Sequence, residues 1–290
     1  MPSSPTPRQL LETLLPPLRM AARYSQEIQS KIAAQPAKAG PNPFSMALTD
    51  ADLSIQTFVE VALLGSFPNI RFYGEEFEQA YNTKYFRAID LGPAGDYLVT
   101  LDPIDGTRFY MDGFANYQII LTVLNADGFE AVLALSPAED RYYYAFRGQG
   151  TRVGTLAQDL DDCLPLQLAP SKTVLLGTRM APLASQLSDR YPVISVSEDY
   201  STEQPIPNVN GILKGQLGGV VLAAGKFIDG AALAFLAQAA GCQVTDHQGR
   251  PLPRPDECQD YAWPGVAIAA NAAIHDDLLQ ALAGFQIPPA

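Results

Sequence analysis

Positive charge is scarce in this chain: 19 Lys and Arg stand against 31 Asp and Glu in 290 residues, a formal net charge of −12. A surface of that sign repels the phosphate backbone of DNA and RNA, which excludes a broad nucleic-acid interface. It repels a small anionic substrate as well, unless bound cations reverse the sign locally. Cysteine is rare too. Cys163, Cys242 and Cys258 are odd in number and far apart, and no CxxC occurs, so neither a disulfide framework nor a thiolate zinc site is expected. Only His247 and His275 are available for histidine chemistry, and no Gly-x-Ser-x-Gly elbow accompanies them. No apolar run approaches a membrane span, and the N-terminus has no basic stretch leading into an apolar one. The expectation is a cytoplasmic protein that contacts neither membrane nor nucleic acid polymer.

Hydrophobic residues make up 47% of the chain, enough for two packed subdomains. Proline suits the first turn of a helix, so the pair Pro16-Pro17 predicts a helix over 17–33, followed by a proline-rich loop over 35–44. Thr49, with Asp52 three residues on, predicts a capped second helix whose inner face carries Ile55, Phe58, Val59 and Ala62. Short strands are expected at 71–73 and 97–101, then an antiparallel meander over 117–124, 131–135 and 141–146. From about residue 172 strands alternate with helices: strands at 173–176, 193–196 and 265–270, helices at 182–189, 212–224, 229–240 and 272–282. The fold class expected is α/β, an α+β half over 1–150 and an α/β half over 151–290, layered as a sandwich with the functional site between them.

Chemistry concentrates in Leu101-Asp102-Pro103-Ile104-Asp105-Gly106-Thr107. A strand runs into two carboxylates on a turn stiffened by proline, followed by a glycine and a hydroxyl. Hard divalent cations take oxygen ligands, and Mg²⁺ is usually held by a few carboxylates plus water and substrate phosphate. Carboxylates this close can hold two metals roughly 3.5–4 Å apart, the spacing that clamps an in-line phosphoryl displacement. A glycine with free N–H groups beyond it lets a phosphate oxygen approach the backbone. The same segment also reads as an ordinary Asx-type turn after a strand. Other carboxylates are individually weaker signals: Glu75 in Gly74-Glu75-Glu76 at a strand end, Asp50 in a helix first turn, and Asp229 as a plain N-cap.

In this order and spacing, the Asp102–Thr107 run, Gly74-Glu75-Glu76, Thr49-Asp50-Ala51-Asp52 and the Asp229-x-Ala-Ala helix resemble the inositol monophosphatase family. That superfamily also contains fructose-1,6-bisphosphatases and bisphosphate nucleotidases. The resemblance extends over 46–282 and implies a layered αβαβα sandwich of the sugar-phosphatase type. It implies Mg²⁺, two or three ions: one on Glu75, Asp102 and the Ile104 carbonyl, one on Asp102, Asp105 and Asp229. It implies that Thr107, hydrogen-bonded to Asp50, orients a metal-activated water, with Glu75 also serving catalysis. Asp105, Gly106, Thr107 and Asp229 would bind substrate. The activity implied is hydrolysis of a small phosphate monoester, inositol monophosphate first. Fructose-1,6-bisphosphate, a 3′(2′),5′-bisphosphate nucleotide, or phosphate binding without turnover are the alternatives. A homodimer is the family expectation. Three departures stand out: Ile228 where an aromatic is usual, Leu233 and Cys242 in place of smaller residues, and a short passage from Ala224 to Asp229.

Overall fold

The computed structural model describes residues 4–32, 49–76, 97–169 and 171–288. The loop expected at 35–44 lies outside them. The chain divides into two compact units, Met1–Leu164 and Pro165–Ala290.

In the first unit, helix α1 (Pro7–Ile28) is followed by α2 (Asp50–Ser66). Strand β1 (Arg71–Gly74) runs parallel to β2 (Leu98–Asp105), with Gly74 opposite Leu101. After the short α3 (Thr107–Met111) come β3 (Gln118–Asn125), β4 (Gly128–Ser136), β5 (Arg141–Phe146), β6 (Arg152–Gly154) and β7 (Leu164–Pro165). These strands form one sheet in sequence order, antiparallel from β2 to β6. The unit extends beyond residue 150 because β6 and β7 complete this sheet.

Helix α1 begins at Pro7, ten residues before the start expected at 17, and Pro16 and Pro17 lie inside it. Thr6 supplies the reason: its hydroxyl accepts from Gln9 N–H, while the Gln9 side chain accepts from the Thr6 N–H. The leucine face (Leu10, Leu11, Leu14, Leu15, Leu18) then buries continuously on both sides of the prolines. The prolines remove hydrogen bonds to the carbonyls of Glu12 and Thr13, both exposed residues where water can substitute. Helix α2 starts at Thr49 as expected, and Ile55 and Val59 are buried, but Phe58 is 38% exposed.

The second unit contains β8 (Val174–Leu176), α4 (Ala184–Leu187), β9 (Val193–Ser195), α5 (Val196–Asp199), β10 (Gly219–Leu222), β11 (Gly225–Lys226), α6 (Gly230–Ala239), β12 (Gln243–Thr245), β13 (Ala262–Trp263), β14 (Val266–Ala269) and α7 (Ala272–Leu282). Five of these strands make a mixed sheet in the order β12-β14-β10-β8-β9. The helix expected over 212–224 is absent. Its start is a single 3-10 turn, Val209–Ile212, and its end is the strand β10, paired with β8 and β14. Gly215 in the left-handed region and the close fit of Gly218 and Gly219 against Ser171 and Ile274 prevent a helix there. The short passage before Asp229 is therefore a turn from β10 into β11, which pairs with β13. The architecture is α/β throughout, an α+β unit and an α/β unit.

Candidate metal and phosphate site

The β1–β2 pairing sets the site. Beyond Gly74 the ladder continues for one more bond, with Glu75 N–H donating to Leu101 O at 2.9 Å. Glu75 and Asp102 are thus the next residues outward from the parallel β1–β2 pairing, toward the carboxyl ends of the strands, where ligands gather at parallel strand pairs. Strand β2 does not stop at Leu101 as expected but continues to Asp105 through an irregularity: Asp102 faces Ile120 and Asp105 faces Gln118. One extra residue on the β2 side makes this a bulge, which accommodates Pro103 because a bulge does not need its missing N–H. The Ile104 N–H turns inward and donates to Asp102 Oδ1 at 3.1 Å, while the Ile104 side chain is fully buried and anchors the turn. Asp102 is only 3% exposed, whereas Glu75 and Asp105 are half-buried.

Gly106 follows with φ 87° and ψ 35°, a left-handed conformation that side-chain-bearing residues resist. That twist starts α3 and buries Thr107, whose Oγ1 lies 2.9 Å from Ile104 O and 3.3 Å from Asp52 Oδ1. The partner of Thr107 is therefore Asp52 and not Asp50. The cap geometry of α2 explains the correction. Asp50 opens the helix on its exposed side, while Asp52, the third residue, points back under the cap and is fully buried. Asp52 Oδ2 accepts from the Thr49 N–H at 2.8 Å and the Thr49 hydroxyl at 2.5 Å, leaving Oδ1 aimed at Thr107. A capping box that a sequence shows only as a helix start here also aims a carboxylate at Thr107.

Glu75, Asp102, Ile104, Asp105, Gly106 and Thr107 are thus assembled within one stretch of the first unit. Asp229 belongs to the second unit, where it caps α6 and accepts from the Gly230 N–H. Among the described residues no three His, Cys, Asp or Glu side chains form a ready-made metal cluster. The donors present are hard oxygens on adjacent strand ends, and Mg²⁺ needs only one or two carboxylates with water and phosphate completing its shell. The residues fit that ion. The histidines are elsewhere: His247 Nε2 lies 2.9 Å from Leu222 O, and His275 Nε2 lies 2.9 Å from the Thr245 hydroxyl. Among the described residues no helix is long and apolar enough to cross a membrane.

The inositol monophosphatase family model matches residues 18–285. The probable inositol 1-monophosphatase ImpA of Mycobacterium tuberculosis is 30% identical over 252 residues, 83% of each chain. A putative Nus factor SuhB of Neisseria meningitidis serogroup B is 23% identical over 254 residues, 84% of this chain and 87% of the other. Among solved structures, an IMPase/NADP phosphatase complexed with Mg²⁺ and phosphate superposes with a TM-score of 0.65 at 18% identity, covering 91% of both chains. A match across nearly the whole length, on a fold shared with solved relatives, leads to one conclusion. The chain belongs to the inositol monophosphatase family and is a phosphoric monoester hydrolase.

Proposed function

We propose that this chain hydrolyses inositol monophosphate with Mg²⁺, using Glu75, Asp102, Asp105 and the Ile104 carbonyl as ligands and Asp229 as a further ligand from the second unit. The observation that carries the reading is the Thr107 hydroxyl, buried between Ile104 O and Asp52 beside the Glu75–Asp102 strand ends. Mg²⁺ held there supplies positive charge against the phosphate oxygens and lowers the pKa of the attacking water. With the Ile104 carbonyl committed to the ion, the Thr107 hydroxyl would donate to Asp52 and would be free to accept a hydrogen bond from the attacking water and orient it. The Gly106 and Thr107 N–H groups bind phosphate oxygens. Positioning and charge account for most of phosphoryl-transfer catalysis, so these roles are sufficient. The substrate choice follows the named activity of the M. tuberculosis relative. The metal choice follows the donor chemistry and the Mg²⁺ in the solved phosphatase. The same reading takes the enzyme as a cytoplasmic homodimer, a state that sedimentation of the purified chain measures.

The test is phosphate release from inositol monophosphate, fructose-1,6-bisphosphate and a 3′-phosphonucleotide, with and without Mg²⁺, for the parent and Asp102→Asn. Release that depends on Mg²⁺, is fastest on the inositol ester and is lost in Asp102→Asn is expected. Release persisting without divalent metal rules out the mechanism. Tight phosphate-ester binding with no release would favour a non-catalytic role, the reading to which the relative called a putative Nus factor points.

A further inference from the structure

Helix α2 carries three polar side chains one turn apart on its buried face: Asp52, Gln56 and Glu60, with exposures of 0%, 0% and 2%. Polar groups in such a place need a reason. Asp52 has one, because it holds Thr107. Gln56 has another. Its Oε1 accepts the Glu76 N–H at 2.9 Å, which also fixes which end of the amide points toward the strand. The amide lies directly against the end of β1: a Cβ on Gly74 would meet Gln56 Cδ and Oε1 at 2.2 Å, so a side chain there would displace the amide from its place. Glu75 is consequently bracketed. Its own N–H is tied to Leu101 O on β2, and the N–H of the next residue is tied to Gln56 on α2.

We propose that Gln56 is a positioning residue for the metal centre, fixing the Gly74-Glu75-Glu76 turn so that the Glu75 carboxylate stays beside Asp102. This assignment rests on the phosphatase reading above. Through residues four apart, one face of α2 then holds both arms of the site, Thr107 through Asp52 and the glutamate turn through Gln56. Groups behind metal ligands commonly change metal affinity about 10–100-fold when removed. A purely structural Gln56 would change folding instead.

The experiment titrates the parent, Gln56→Met, Gln56→Glu and Asp102→Asn with Mn²⁺, following the free-ion electron paramagnetic resonance signal, beside thermal unfolding without metal. Gln56→Met has similar length but no acceptor for the Glu76 N–H, whereas Gln56→Glu keeps an oxygen there. Gln56→Met should bind Mn²⁺ about tenfold more weakly. Phosphate release should recover when Mg²⁺ is raised to saturation. Gln56→Glu should bind within a few-fold of the parent. A folded Gln56→Met with parental Mn²⁺ affinity overturns the assignment. If that variant does not fold, a folded Gln56→Glu that binds as weakly as Asp102→Asn overturns it equally. A parent that binds no Mn²⁺ defeats the phosphatase reading, and the assignment with it. A parent that binds while Gln56→Met binds equally defeats the assignment alone.

Discussion

At the scale of single residues, the contact to Thr107 depends on which of two neighbouring aspartates faces inward. Asp50 and Asp52 are separated by one alanine, yet one is exposed and the other fully buried against Thr49 and Thr107. Asp52→Asn keeps the shape and weakens the charge-assisted bond to Thr107, so kcat should fall about a hundredfold, the usual cost of a misaimed catalytic group. Asp50→Asn should leave kcat within about twofold, as surface changes away from a site usually do. Steady-state rates of the two variants at saturating Mg²⁺ check this directly. The Asp102–Thr107 run was legible in the sequence because its atoms act within six residues. The Asp52–Thr107 bond was not, since it joins residues 55 apart. Helical phase was the available signal, because the third residue of a capping box points back toward its cap.

At the scale of elements, α2 carries a burden beyond packing. One turn beyond Gln56, Glu60 is 2% exposed, and among the described residues neither of its carboxylate oxygens has a hydrogen-bond partner. Burial pushes its carboxyl above the usual carboxylate range. An acid whose folded pKa is raised contributes stability below its unfolded pKa, here 4.5, and loses it as pH rises through the folded value. Glu60→Gln should therefore raise the thermal midpoint at neutral pH, with the difference vanishing below about pH 4.5. Thermal unfolding of both proteins across pH measures it. At the other end of the first unit, Thr6→Ala removes the hydroxyl that accepts the Gln9 N–H and should cost about 1 kcal/mol. Denaturant unfolding of that variant checks the value. Most element positions were legible from local signals: β5 and α7 match expectation to the residue, and α2 begins at its expected cap. Where local signals pointed the wrong way, burial outweighed them. Proline failed to interrupt α1 because the leucine face spans it, and the stretch expected as a helix over 212–224 ends in β10, which pairs with β8 and β14.

At the scale of the whole molecule, the two units respond to acid by different groups. In the second unit His247 and His275 are both held below their ordinary value of 6.5, chiefly by burial. A histidine with a lowered folded pKa contributes stability above its unfolded pKa and loses it as pH falls through that value. The second unit should therefore loosen as pH drops below about 6.5, and His247→Gln with His275→Gln should flatten that dependence. Hydrogen exchange resolved by segment, at pH 7.5 and 5.5, separates the units. By itself the sequence determined the family, because a strand, two carboxylates, a glycine and a threonine in close succession restrict what the backbone can offer. The tertiary structure decided which carboxylate holds Thr107, what braces Glu75, and whether 212–224 coils or extends. Those outcomes depend on partners tens of residues away, and spacing along a chain does not show which distant surfaces will exclude water together.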